Sequence, residues 1–276
     1  MNVIKKVYSR FYKALIFFRS YLQSVVLRIS TIRKYPNSCI EGKMMILVPH
    51  ADDEIVGCGC IITNAKNKCF LINMDMPGGD SLELHEQRRR ELGEMVNNLP
   101  SDTEIVDLRD EPNKTMDLSI LIDSINPDYI CVPEPYDWHC EHLKVRHILY
   151  EALKLVKTKT IKIVEYQVSV PMPLSNVSHG LKMTKEQQEY KWNVFKKIYL
   201  TQAFFPVWRY KFNERIYGAV CGSYASELYR VFDVDLWKNS FQSRVISDDE
   251  RNDIMNNFRN LVKIRRIIKK YKDGVE

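Results

Sequence analysis

The chain alternates short runs of apolar residues with longer stretches in which apolar positions recur every three or four residues. The first pattern is typical of buried strands and the second of amphipathic helices. From residue 44 onward the alternation predicts strands at 44–49, 69–74, 104–108, 128–132 and 161–170, with helices between them at 54–65, 81–98, 117–125 and 141–156. This rhythm predicts an α/β fold: a three-layer, Rossmann-like, mainly parallel sheet with helices on both faces.

The end of the chain has a different pattern. Residues 185–203 and 248–271 are predicted as helices, and the second of them is rich in basic residues. We therefore expect three regions: an N-terminal arm over 1–40, a body over 41–240 and a C-terminal basic helical extension over 241–276.

The N-terminal arm is predicted as a basic amphipathic helix. Its apolar side chains recur in steps of three and four, whereas its basic residues fall on the other side. The apolar positions are Phe11, Leu15, Phe18, Leu22, Val25 and Ile29. The longest uncharged stretch, 20–27, is far shorter than the roughly 18–20 residues of a membrane span. Residues 3–29 are thus predicted to make a peripheral membrane contact or to dock on a partner, with packing on the chain's own body as the alternative.

Charge separates the arm from the body. Of 41 basic residues in the 276, eight lie in residues 1–40, which contain no acid, and the other 33 face 35 acidic residues. The body shows no basic stripe, so a nucleic-acid partner is not expected. Seven cysteines without a Cys-x-x-Cys pair indicate a reducing, cytoplasmic compartment with mostly buried thiols. No Gly-x-Gly-x-x-Gly follows a predicted strand, which argues against dinucleotide binding.

The first predicted strand leads directly into a histidine and a group of carboxylates. The segment reads His50-Ala51-Asp52-Asp53-Glu54. One neutral nitrogen and several anionic oxygens are what a divalent metal needs, and clustered carboxylates are costly without a cation. The alternative is that these residues only cap a helix, because Asp and Glu are also favourable in the first turn of a helix.

A second group of polar residues follows the fourth predicted strand. Here His139 and His142 are three residues apart at the start of a helix, so they can face the same way. The carboxyl ends of parallel strands meet at one edge, which brings both groups together. His50, Asp53 and His142 would form a two-histidine, one-carboxylate site that suits Zn²⁺, or another divalent metal, and leaves a position open for water. His147 lies off the helical face of His142, and no metal-binding motif surrounds His85 or His179 in the sequence.

The two motifs, His50-Ala51-Asp52-Asp53-Glu54 and His139-Cys140-Glu141-His142, resemble those of the PIG-L/LmbE-like family of zinc-dependent de-N-acetylases. Weaker likenesses extend over about residues 44–232. They are Gly57-Cys58-Gly59, Pro77-Gly78-Gly79, Arg88-x-x-Glu91, Glu165-Tyr166 before Pro171, Lys197 with Tyr199 and Gln202, and residues 225–232. The chain departs from the family where Ala51 replaces a proline and where Cys140-Glu141 replaces Pro-Asp.

The resemblance implies an LmbE-like catalytic domain over residues 41–240 and a role for each candidate site residue. Zinc is expected on His50, Asp53 and His142. Asp52 is expected to take a proton from water and pass it to the leaving amine, while a protonated His139 stabilises the oxyanion. The expected supporting residues are Glu141 beside His139 and Glu54 beside the ligand loop, with an ordinary first-turn helix acid as the alternative for Glu54. The candidate sugar contacts are Arg88, Asp75 and Asp80, with surface salt bridges as the alternative.

The resemblance also implies the reaction: removal of the N-acetyl group from an N-acetylglucosamine-like amino sugar in a glycoconjugate, as in surface polysaccharide or glycolipid assembly. Two alternatives remain. One is an amidase for another small acylated amine, such as a thiol conjugate or an antibiotic. The other is a catalytically idle member that binds glycan or scaffolds a partner. The expected location is cytoplasmic, peripheral at the inner face of a membrane, and the sequence leaves the oligomeric state open.

Overall fold

The computed structural model describes residues 39–76, 81–109, 111–157, 160–244, 246–257 and 261–272, together with Phe11, Tyr12, Leu15, Phe18 and Leu22. Within these segments seven strands form one mixed sheet. They are β1 (Lys43–Val48), β2 (Lys68–Asn73), β3 (Asp102–Asp107), β4 (Tyr129–Pro133), β5 (Lys162–Tyr166), β6 (His179–Met183) and β7 (Ala225–Asp233). Their order across the sheet is β3-β2-β1-β4-β5-β7-β6.

Strands β1 to β5 are parallel, and β1 lies at the point where the order reverses. It pairs with β2 on one side and with β4 on the other. The chain therefore winds outward in both directions from β1 and β4. In open α/β sheets such a switch point leaves a crevice beyond the carboxyl ends of the two strands, and ligands bind there.

Helices cover both faces of this sheet. They are α1 (Asp53–Ile62), α2 (Leu82–Val96), α3 (Lys114–Ile125), α4 (Cys140–Leu155), α5 (Lys185–Ile198), α6 (Val207–Cys221), α7 (Val234–Ser240), α8 (Asp248–Asn257) and α9 (Leu261–Lys272). Alternate side chains of β1 separate two cores: Ile46 packs with α1, α2 and α5, whereas Leu47 packs with α3, α4 and α7. The unbroken apolar run of β1 is thus explained by burial on both faces.

The sequence prediction was wrong in the C-terminal third, where it placed helices alone. The structure adds β6 and β7 there, and β7 runs antiparallel to both β5 and β6. The predicted helix 185–203 also ends early, at Ile198, and is followed by a short 3-10 turn at Leu200–Gln202. Both strands carry polar and charged residues that hide them from an apolar pattern, including Glu227, which is buried within β7.

The two ends of the chain differ in how their apolar faces are used. In the arm, Phe11, Tyr12, Leu15, Phe18 and Leu22 are helical and 45–66% exposed. By contrast, the apolar face of α9 packs with Tyr136 and Trp138, which precede the second histidine motif. Across the described segments, none of the helices has the length and apolar character needed to cross a bilayer.

Candidate metal centre and active site

The first half of the site is the tight loop between β1 and α1. His50 accepts a backbone hydrogen bond from Asp53 at 3.1 Å, and the His50 backbone N–H donates to Asp53 Oδ2 at 3.0 Å. Between them Asp52 has φ 128°, a value that residues other than glycine rarely adopt. Such backbone strain costs about 1–3 kcal/mol and is found mostly at functional sites.

Asp52 occupies the position before α1, but its carboxylate makes no capping hydrogen bond to the helix. Its side chain is nevertheless buried, with 6% exposed. The alternative interpretation of this acidic segment, as ordinary helix capping, therefore does not describe Asp52. Its carboxylate remains available for chemistry beside the ligand loop.

The second half of the site is the first turn of α4, which begins directly after His139. Here His142 is buried and its Nδ1 lies 2.9 Å from Asp137 Oδ2. The Asp137 carboxylate also accepts backbone hydrogen bonds from His139 and Ser169 at 3.0 and 3.1 Å. Asp137 thus fixes the ring of His142 so that its Nε2 faces the loop after β1, as outer-sphere carboxylates do for metal-binding histidines.

The donor atoms of His50, Asp53 and His142 have the spacing of a tetrahedral metal site. The His142 Nε2 atom lies 3.2 Å from His50 Nδ1 and 3.2 Å from Asp53 Oδ2, and the latter two atoms are 3.4 Å apart. Zinc ligands at about 2.0–2.2 Å from a tetrahedral ion lie roughly 3.3–3.5 Å from one another. Two nitrogens and one carboxylate oxygen are also donors that zinc prefers. The residues therefore fit a divalent metal.

Electrostatics agree with this arrangement. Burial alone would raise the pKa of Asp53, but the adjacent His142 and His50 outweigh burial and lower it. Burial would lower the pKa of His142, but the carboxylates of Asp53 and Asp137 raise it. Negative charge thus accumulates at a point where a cation can sit between the three side chains.

Asp52 has the environment of a base rather than a ligand. Burial, together with the nearby carboxylates of Asp53 and Glu54, raises its pKa well above the ordinary value, and the Arg88 guanidinium opposes that shift. A raised pKa brings a carboxyl group closer to the pH at which it can both accept and return a proton. The role of Arg88 as a substrate contact stays a prediction.

His139 stands at the open side of the site. It joins His50 and His142 in a group whose nitrogen atoms lie within 4.8 Å of one another. Its Nδ1 is 2.7 Å from Glu141 Oε2, which is the predicted support. Burial and the positive charges of His142 and His50 lower the pKa of His139. This shift opposes the protonated His139 that the resemblance implies, whereas the carboxylates of Asp137 and Glu141 favour it.

Glu54 connects the ligand loop to the C-terminal half of the domain. It is fully buried, accepts a hydrogen bond from the Asp52 backbone at 3.0 Å and another from the Tyr199 hydroxyl. Burial raises the pKa of Glu54 to about 7 although the Tyr199 hydroxyl bond opposes the shift. Glu91 in turn binds both the backbone and the hydroxyl of Thr201, two residues after Tyr199. Helix α2, which carries the Arg88-x-x-Glu91 motif, therefore supports the connection between Glu54 and Tyr199.

Asp75 lies beside the ligand loop, because Met76 donates a backbone hydrogen bond to Pro49 at 3.1 Å. His85, for which no site role was predicted, contacts Asp75: its Nδ1 is 2.7 Å from Asp75 Oδ1. A role for Asp75 in sugar binding stays a prediction. Asp80 and the Gly-bearing loop 77–79 lie outside the described residues.

Sequence reasoning did not assign a role to Asp137, and its removal gives a direct test of the site. We expect Asp137→Asn to lower zinc affinity about 10- to 100-fold, because His142 loses the partner that orients it. Competition with a chelator measures this. Asp128→Asn is the control, since Asp128 accepts a backbone hydrogen bond from Lys43 at the opposite end of β4. Equal zinc affinity in the two variants would contradict the assigned role.

Comparisons with known proteins agree with the fold. Residues 45–153 match the family model PIG-L, described as GlcNAc-PI de-N-acetylase. None of the curated proteins matches the sequence. In backbone structure the chain is similar to the conserved protein TT1542 of Thermus thermophilus, with TM-score 0.54, 18% identity and coverage of 68% of this chain and 93% of that one.

Two deacetylases also have this backbone. The N,N'-diacetylchitobiose deacetylase of Pyrococcus horikoshii aligns with TM-score 0.54 and 18% identity over 77% of this chain and 90% of its own. A deacetylase in the teicoplanin biosynthesis pathway aligns with TM-score 0.51 and 12% identity over 70% of this chain and 99% of its own. At these identities the likeness concerns the fold, and the predicted α/β fold class is confirmed.

Proposed function

We propose that this chain, whose residues 45–153 match the PIG-L family model, is a zinc-dependent hydrolase that removes the acetyl group from an N-acetylglucosamine-like sugar in a glycoconjugate. The resemblance to this family that the two motifs indicate is confirmed over residues 45–153. The observation that carries the proposal is the tetrahedral spacing of His50, Asp53 and His142 next to a buried carboxylate, Asp52, that is not a helix cap.

His50, Asp53 and His142 would hold the zinc. The bound ion supplies Lewis acidity: it makes water more acidic and polarises the amide carbonyl. Because zinc binds three protein ligands at catalytic sites and keeps a further position open, these three residues would be enough to hold a catalytic zinc.

The chain's own residues would carry the proton and stabilise charge. Asp52 takes a proton from the attacking water and returns it to the leaving amine, which its raised pKa favours. His139, at the open side, donates a hydrogen bond to the oxygen that becomes negative, and Glu141 orients its ring. The charge of Arg88 limits the rise of the pKa of Asp52, and we assign to Arg88 the role of holding a sugar hydroxyl or carrier group.

Acetate release tests the proposal. We would incubate the zinc-loaded protein with N-acetylglucosamine conjugates that differ in carrier: a nucleotide, a phosphatidylinositol lipid and a free disaccharide. Acetate release from any of these supports a sugar de-N-acetylase, and the carrier with the highest kcat/KM identifies the substrate class. Release only from other acylated amines favours the amidase alternative. One bound zinc without any acetate release indicates an idle member of the family.

We also propose that the N-terminal arm brings the enzyme to an anionic membrane surface. Phe11, Leu15, Phe18 and Leu22 follow one another in steps of four, three and four, and they are exposed rather than covered by the body of the chain. The eight basic residues and absent acids of residues 1–40 complement an anionic lipid surface. A lipid-linked glycan would be deacetylated there.

Vesicle flotation checks the arm. The full chain is expected to float with vesicles that contain phosphatidylglycerol, and removal of residues 1–40 is expected to leave the protein in the soluble fraction. Leu15→Ser combined with Phe18→Ser gives a gentler variant that keeps every basic residue. Both changes should leave zinc content and turnover of a water-soluble substrate unaltered. Equal flotation of all three proteins would refute the membrane proposal and leave the catalytic one untouched.

A further inference from the structure

The helix that carries Asp53 is kinked in its middle. Cys58 has φ −121° and ψ 24°, which are not helical values. In a regular helix the backbone N–H of Cys60 would donate to the carbonyl of Val56. Here Val56 O accepts a hydrogen bond from Lys191 Nζ at 3.0 Å, and Cys60 N–H donates to Glu227 Oε2 at 2.7 Å. An ammonium and a carboxylate from elsewhere in the fold thus bind the two groups that flank the kink.

These two side chains belong to a buried charged cluster, which we call the kink cluster: Lys191, Glu214 and Glu227. Lys191 Nζ lies 2.6 Å from Glu214 Oε1 and 2.5 Å from Glu227 Oε1, and all three residues are at most 5% exposed. The Tyr229 hydroxyl also donates to Glu227. The cluster joins α5, α6 and β7 to α1.

Glycine at position 59 is required for this contact. A Cβ atom there would stand 2.7 Å from Glu227 Oε1 and 2.7 Å from Lys191 Cδ. A Cβ at Gly57 would stand 2.8 Å from the backbone oxygen of Gln167 and closer still to the ring of Tyr166. The Gly57-Cys58-Gly59 segment therefore lets α1 approach both the kink cluster and the sheet.

The kink cluster is two hydrogen bonds away from Asp52. Lys191 binds the carbonyl of Val56, and the N–H of Val56 donates to the backbone oxygen of Asp52 at 3.0 Å. Asp52 and Asp53 are adjacent, so a shift of the backbone around Val56 would move the proposed base and a metal ligand together. Metal and catalytic groups must be held within about 0.5 Å of the productive geometry.

We propose that Lys191 and Glu227 are positioning residues of the active site: they fix the kink of α1 and thereby the direction in which its first turn presents Asp52 and Asp53. Stability alone is a poor reason for such a cluster, because an apolar replacement of similar volume often stabilises a protein as well as a buried ion pair does. A fixed orientation of the ligand helix is a reason that apolar residues would not supply.

Zinc affinity is the readout that separates positioning from general stability. The variants are Lys191→Met, which keeps an unbranched side chain but removes the ammonium, and Glu227→Gln, which keeps the shape of the side chain. The matched control is Glu214→Gln. Glu214 shares Lys191 as a partner, and its other hydrogen bonds come from Gln188 and Trp192, which lie on α5 rather than on α1.

We expect Lys191→Met and Glu227→Gln to bind zinc about 10-fold more weakly, the lower end of what supporting residues of metal sites contribute, and to lose kcat with little change in KM. Glu214→Gln should keep zinc affinity and kcat within about twofold, even if its unfolding midpoint falls. Wild-type zinc affinity in both test variants, or an equal loss in Glu214→Gln, overturns the inference. If Lys191→Met does not fold, Glu227→Gln decides. The inference rests on the proposed metal site, and a wild-type protein without zinc affinity would reject that site first.

Discussion

Asp52→Asn is expected to bind zinc like the wild type and to lose about 10²- to 10⁴-fold in kcat, the usual contribution of a general acid–base group. The substitution changes one atom and removes the proton acceptor. It should not disturb the loop, because asparagine tolerates positive φ better than most residues, and position 52 has φ 128°. Metal analysis and acetate release on the same preparation measure both effects.

Asp53→Asn is the natural comparison, since the two aspartates are adjacent but only Asp53 Oδ2 lies within 3.4 Å of His50 and His142. It should lose zinc and activity together. If Asp52→Asn remained fully active, the proton would have to be carried by another group. If Asp52→Asn lost its zinc, the division of the two carboxylates into base and ligand would be incorrect.

His142→Ala is expected to bind no stoichiometric zinc and to release no measurable acetate. It removes the donor that lies 3.2 Å from both other ligands and leaves the Asp53 and Asp137 carboxylates buried without their cationic partner. Uncompensated buried charge costs about 3–5 kcal/mol, so the unfolding midpoint should fall as well. Excess zinc should restore neither property, which isothermal titration and thermal unfolding check.

His147→Ala serves as the control for His142→Ala. His147 lies on the same helix five residues later, and its ring contacts Tyr150 and Phe241 at centroid distances of 6.5 and 6.4 Å. Zinc content and turnover should stay at wild-type values in this variant. Stoichiometric zinc in His142→Ala would reject the proposed ligand set, whereas loss of zinc in His147→Ala would show that α4 tolerates no truncation.

The parallel half of the sheet could be predicted from the sequence because its strands are apolar runs bounded by turns. β1, β2 and β4 lie within one residue of the predicted bounds, since burial on both faces leaves no room for polar side chains. β7 could not be predicted in this way. Glu227 is buried at its third position, where the Lys191 ammonium and the N–H of Cys60 compensate its charge.

The predicted metal ligands have a local signal of the same kind: each group of them is continuous in sequence and follows a strand. The long-range partners of the supporting residues have no such signal. Tyr199 reaches Glu54 from 145 residues away and Lys191 reaches Val56 from 135 residues away. Such contacts depend on how helices pack, which local patterns do not encode. Asp137 is the exception, because its contact is local: it stands five residues before the histidine that it orients.

His50 and His142 are 92 positions apart, yet their ring nitrogens lie 3.2 Å apart. Closing so long a loop costs chain entropy that neither motif can repay alone. The loop after β1 carries His50 and Asp53, and the third donor comes from α4, so the complete set of donors requires β4 to be paired with β1. An ion held by all three would favour that pairing. An ion that binds the folded chain far better than the unfolded one also shifts that equilibrium towards the fold. Zinc supply would thus govern how much of this protein accumulates as well as how fast it works.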